Sequence, residues 1–154
     1  MQRLPLIVFT ALLTTLLTVN IAGAETSVEN SIKYRQAVMG SMAAHIEVLS
    51  MMAFNKVEPN EFYQGHAEAL ANATAELKYL FPDGSGQGET EALAAIWENP
   101  DEFDAARSKA EQAFAALRDA VASGDSKAVV GAFAAAGKSC KGCHEKYREE
   151  HDDH

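Results

Sequence analysis

Apolar residues recur every three or four positions along most of the chain, the period of a helix with one buried face. Ile32, Arg35, Met39, Met42, Ile46, Leu49 and Ala53 form one such seam and predict a helix from about Val28 to Phe54. Asn55 to Pro59 interrupts it. Tyr63, His66, Leu70, Ala73, Leu77 and Leu80 then predict a second helix ending near Leu80. The segment Phe81-Pro82-Asp83-Gly84-Ser85-Gly86-Gln87-Gly88 is the one long loop, and Glu91 to Trp97 can add a helical turn. A third helix carries Phe103, Arg107, Ala110, Phe114, Leu117 and Val121. Asn99, Pro100 and Glu102 predict a capping box at its start. Ser123-Gly124-Asp125 ends this helix and caps a fourth, with Val130, Phe133, Gly137, Cys140, His144 and Tyr147 on its seam. No stretch alternates with the period of a strand. Four helices with short connections predict an all-α, antiparallel up-down-up-down four-helix bundle.

The first 24 residues read differently. Arg3 gives a positive start, Leu4 to Ile21 is apolar with threonines, and Ala22-Gly23-Ala24 is a small-residue cleavage site. The expectation is a signal peptide over 1–24, cut after Ala24, and a single domain over 25–154. The rival is a retained membrane anchor, since an uncharged run of about 18 residues can span a bilayer. Cleavage places the chain outside the cytoplasm, in the periplasm, with no further apolar run to hold it to a membrane. The charge balance adds little. The 13 Lys and Arg stand against 22 Asp and Glu, a net charge of −9, and removing Arg3 with the leader leaves −10. Such acidity argues against nucleic acid and anionic membranes as partners. The acidic tail carries His151 and His154, which could gather a stray metal but read as a solvated end.

The chemistry lies in Cys140-Lys141-Gly142-Cys143-His144. Cys-x-x-Cys-His is the attachment pattern of c-type haem. Two thiols three apart share a helical face and can add across the two vinyl groups of one porphyrin, with His144 as an axial ligand of the iron. The alternatives are a redox dithiol, half a zinc site or a small structural disulfide. A redox pair has no use for the adjacent His. Zinc needs further ligands, and the chain holds 2 Cys only.

A helical bundle with this motif near its end resembles the class II cytochromes c. Gly137 to Arg148 is similar to the closing signature of that family, Tyr34-Arg35-Gln36 to its first-helix motif, and Gly88-Glu89-Thr90-Glu91 with Ile96-Trp97 to its middle loop. The resemblance covers the whole mature chain and implies one covalent haem c inside the bundle. It implies that Arg35 and Gln36 approach the haem propionates, that Glu89 lies near the haem edge, and that Arg148 stands beside the proximal face. Arg35 on a core seam independently calls for a buried anion, or else snorkels at the bundle end. Met39 matches the position over the distal face, where the family places either a ligating Met or a side chain that only crowds the iron. His45 and His66 are the other candidates for a second axial ligand.

The expected function is that of a mono-haem electron carrier, served by redox partner proteins. The alternative is a five-coordinate haem protein that binds or buffers the diatomic gases NO and CO. An enzyme such as a peroxidase needs distal acid–base groups. The seam offers Met39 and Met42 there, so no catalytic residue is assigned. The resemblance also allows a homodimer through the first two helices, where Ala43, Ala44, Ala67 and Ala71 would permit close packing.

Overall fold

A computed structural model describes residues 26–150. The leader over 1–24 and the tail histidines lie outside the described residues. Five α-helices follow in order: α1 Val28–Ala53, α2 Tyr63–Glu76, the short α3 Ala95–Glu98, α4 Pro100–Ser123 and α5 Ser126–Tyr147. A 3₁₀ turn, Leu77–Tyr79, extends α2. The four long helices are the four predicted from periodicity. Among the described residues no strand occurs, and no helix is long and apolar enough to cross a membrane.

Neighbours in sequence are neighbours in space. Helix α1 packs on α2 and α5, and α4 packs on α2 and α5, while the backbones of the diagonal pairs stay apart. That ring of contacts is the up-down-up-down bundle. Its centre is a single apolar cluster that includes Leu49, Leu70, Leu80, Phe114 and Leu117, all essentially inaccessible to solvent. Burying a Leu or Phe of this kind contributes about 1.5–3 kcal/mol each.

The helix ends follow local chemistry, with one exception. Gly124 takes φ 71° and closes α4, a left-handed conformation that costs glycine nothing. The Asp125 carboxylate then accepts from the amides of Lys127 (2.9 Å) and Ala128 (3.2 Å), capping α5. The exception is Asn99. Its backbone precedes Pro100 as predicted, but its side chain makes no capping bond. It also terminates α3, donating its amide to Ala95 O at 3.1 Å. Glu102 turns instead to Lys146 near the end of α5. The predicted capping box is therefore absent: one residue joins two helices, and the acid that would complete the box ties α4 to α5.

The seam of α5 also differs from the sequence reading. Val129 and Ala136 are buried, whereas Val130 and Gly137 are exposed. In an Ala-rich helix either of two adjacent apolar residues fits the same period, so the pattern does not choose between them. Ala67 and Ala71 are likewise buried inside the bundle. They do not contribute to an outer face, and only Ala43 and Ala44 of that set are exposed.

Candidate functional site

Helix α5 carries Cys140, Cys143 and His144 on one face. At about 100° per residue, Cys143 and His144 fall on either side of the line through Cys140. Both cysteines are free thiols and partly buried. Burial raises the pKa of each above its ordinary value; for Cys143 the neighbouring Cys140 adds to the effect. The His144 imidazole is held below its usual value, first by burial and then by the nearby Arg148 guanidinium, with Glu91 opposing. Two neutral thiols and a neutral imidazole are the donor set that thioether attachment and iron ligation require.

Their surroundings fit a flat apolar group. Cys140 packs against the central apolar cluster, and so does Met39 from α1. Cys143 lines a groove of about 580 Å³ between α4 and α5. Its wall is built of small residues such as Ala105, Ala106, Ala113 and Ala135, and Lys109, Lys138 and Lys146 also line it. Small side chains leave open space beside Cys143, while Cys140 and Met39 lie on the core side and Arg35 and His144 do not line this groove. The donor set and its apolar surroundings fit a c-type haem.

The far end of α5 is clamped. Leu93 N donates to Tyr147 O (3.0 Å) and Glu149 N to Glu91 O (2.8 Å), around a bridge between Ala92 and Arg148. This pairing fixes the helix end one turn beyond His144. It brings Arg148 near Glu91, Nε to Oε2 4.0 Å. Sequence reasoning missed the clamp, because three residues of extended chain carry no periodic signal.

Arg35 is buried, 4% exposed, on the predicted seam. Nη1 donates to Leu80 O (3.2 Å) and Ser85 Oγ (3.0 Å), and Nη2 to Ser85 O (2.9 Å) and Thr90 Oγ1 (2.6 Å). The guanidinium also lies 4.9 Å from the centre of the Phe81 ring. Every one of these partners is neutral, and no carboxylate pairs with Arg35 among the described residues. Burial lowers its pKa, but an arginine keeps its charge in a protein. So Arg35 neither snorkels nor meets a protein anion; it organises the loop over 80–90. Thr90 belongs to the loop motif Gly88-Glu89-Thr90-Glu91, whereas Ser85 carries no sequence signal of this role. Gln36 joins the same loop, donating Nε2 to Glu89 O at 2.9 Å. The Glu89 side chain itself is exposed.

An aromatic row links this cage to α5. Phe81 meets Phe103 edge-on at 4.8 Å, and Phe103 meets Tyr147 at 5.0 Å. Such pairs add about 0.5–1.5 kcal/mol each beyond their buried area. The loop that Arg35 holds and the helix that carries His144 are thus mechanically joined.

His45 and His66 take no part in this arrangement. Their Nδ1 atoms stand 2.9 Å apart, one ring donating to the other across α1 and α2.

Comparison with known proteins agrees with the geometry. A family model described as Cytochrome C′ matches residues 30–148. The cytochrome c′ of Pararhodospirillum photometricum is 37% identical over 124 residues, covering 80% of this chain and 99% of that one. Among solved structures, cytochrome c prime from Shewanella frigidimarina superposes with a TM-score of 0.76 at 33% identity, over 82% of this chain and 99% of its own. Variants of cytochrome c prime from Alcaligenes xylosoxidans superpose similarly. A nitric oxide complex gives a TM-score of 0.77 at 25% identity, over 82% of this chain and 99% of its own. A carbon monoxide-bound form gives 0.75 at 26%, over 80% and 98%. With its haem motif on the last helix of the bundle, this chain belongs to the cytochrome c′ family.

Proposed function

We propose that this protein is an exported mono-haem cytochrome that binds a neutral diatomic gas, nitric oxide or carbon monoxide, on the haem face overlaid by Met39, and that it is a binding protein rather than an enzyme. Cys140 and Cys143 would hold the porphyrin through two thioethers, and His144 would supply the axial nitrogen. Haem so held would supply a one-electron iron centre able to bind a small ligand. Arg35 brings a buried positive charge that no protein carboxylate balances among the described residues, which suits a propionate. Gln36, anchored on Glu89 O, would stiffen the same edge. Arg148, one turn past His144, would place its charge on the proximal side.

The observation that carries the reading is the packing of Met39. Its side chain is partly buried against an apolar cluster of Val38, Met42 and other hydrocarbon residues. A crowded hydrocarbon lining excludes water and anions but lets a small neutral molecule displace one flexible side chain. The gas complexes of the Alcaligenes proteins support the same assignment.

Electron carriage by a low-spin iron would instead require the Met39 sulfur as ligand, and the Met39→Ala variant separates the two. Under the gas-binding reading the oxidised spectrum is unchanged and carbon monoxide binds more tightly, by about tenfold for each 1.4 kcal/mol of crowding removed. A change of spin state with a fall in reduction potential would assign Met39 as a ligand and favour the electron carrier.

A further inference from the structure

The cysteines, the arginine cage and the Met39 face account for α5, the loop over 80–90 and one side of α1. They leave His45 and His66 without a role. His45 lies on α1 and His66 on α2, both partly buried, with ring centroids 5.1 Å apart and tilted by 57°. The Nδ1 atoms face each other at 2.9 Å, so one Nδ1–H donates to the other lone pair.

We infer that His45 and His66 form a second metal site, independent of the haem, that takes one divalent transition-metal ion of the zinc–copper class through two imidazole nitrogens. Geometry supports this first. Zinc binds imidazole nitrogen at about 2.0–2.1 Å, so two such nitrogens at a tetrahedral angle stand about 3.3–3.4 Å apart. The present separation is shorter by about 0.4 Å, which small side-chain rotations supply while both helices stay in place. The helix positions that flank them are anchored in the core. Leu49, one turn after His45, and Ala67, beside His66, are fully buried in the core. The two nitrogens are thus brought together by folding, before any ion arrives.

The chemistry agrees. The ring that now donates would move its proton from Nδ1 to Nε2. Both imidazoles then stay neutral, and both Nδ1 lone pairs face the ion. Imidazole suits zinc, copper and nickel rather than magnesium or calcium. Among the described residues no third His, Cys, Asp or Glu completes a closed set, so water fills the remaining positions and the site is an open one. His66 also lines a small surface hollow with Met51, Met52 and Asn60. The net charge of −9 raises the local concentration of cations.

The test is a titration of untagged, chelator-treated holoprotein with Zn²⁺, which is redox-silent and leaves the iron alone. We expect one Zn²⁺ per chain, followed by calorimetry, with the haem spectrum unchanged. His45→Gln or His66→Gln should weaken binding by more than the 10–100-fold that loss of an outer-shell partner costs. The double variant should be no worse than either single one, because the site needs both nitrogens. As a second readout, Zn²⁺ should raise the Tm of the wild type and leave that of a folded variant unmoved. Absence of saturable binding would overturn the assignment. So would full affinity in His45→Gln and His66→Gln, or loss of binding in a His151→Ala/His154→Ala variant, which would place the ion on the tail.

Discussion

Arg35 shows best how much one residue can carry. Its spacing on α1 puts a cation on a buried seam, and that much is readable from the chain. Its partners are not readable, because Leu80, Ser85 and Thr90 are 45 to 55 residues away and reach it through a loop without period. Replacing Arg35 by Met keeps the bulk and leaves those acceptors unpaired. We expect holoprotein stability to fall by about 2–4 kcal/mol, read from urea unfolding, with the loop over 80–90 becoming sensitive to protease. A loss under half a kcal/mol would mean that the cage is incidental. Met39 is the opposite case: its place on the α1 seam was legible, but whether a thioether binds iron or crowds it depends on a few tenths of an ångström that no pattern encodes. For the same reason the histidine pair was not legible. His45 and His66 were minor alternatives for an axial ligand, and their mutual contact depends on how α1 meets α2.

At the scale of the helix, caps separate sequence logic from structure. Asn99 and Asp125 look alike in the chain, each a short polar residue before a helix. Only Asp125 makes the capping bonds, at 2.9 and 3.2 Å. Asp125→Ala should therefore cost about 1 kcal/mol, while Asn99→Ala should stay within about 0.5 kcal/mol. Equal losses in denaturant midpoint would show that Asn99 caps α4 in solution. The contrast has a physical cause. A capping motif predicts which bond is available locally, but Lys146 competes for Glu102 from another helix, and Asn99 is committed to ending α3. Helix existence and order were legible because burial imposes a 3.6-residue period on every long helix. The exact buried line of α5 was not, since neighbouring apolar residues satisfy that period equally.

For the whole molecule, the proposed haem site draws on α1, α5 and the loop over 80–90. Helix α1 brings Arg35, Gln36 and Met39, the loop over 80–90 fixes the first two, and α5 brings the thiols and the imidazole. The aromatic row from Phe81 to Tyr147 joins these parts. A fold built around such a group should depend on it. Cys140→Ala/Cys143→Ala should yield protein from which acidified organic solvent extracts any haem. With haem gone, lost packing of the kind a large cavity causes should cost several kcal/mol. The expected apoprotein is helical by far-ultraviolet circular dichroism but loosely packed, with a broad thermal transition. Cooperative unfolding of the apoprotein at the midpoint of the holoprotein would contradict this.

The most direct test of the account is the absorption spectrum of the intact protein, oxidised, then reduced, then reduced under carbon monoxide. The expected result is covalent haem c with a high-spin, five-coordinate iron in both oxidation states, and a saturable spectral change when carbon monoxide binds the ferrous form. A low-spin spectrum with methionine ligation that carbon monoxide leaves unaltered would contradict it, and would make Met39 an iron ligand.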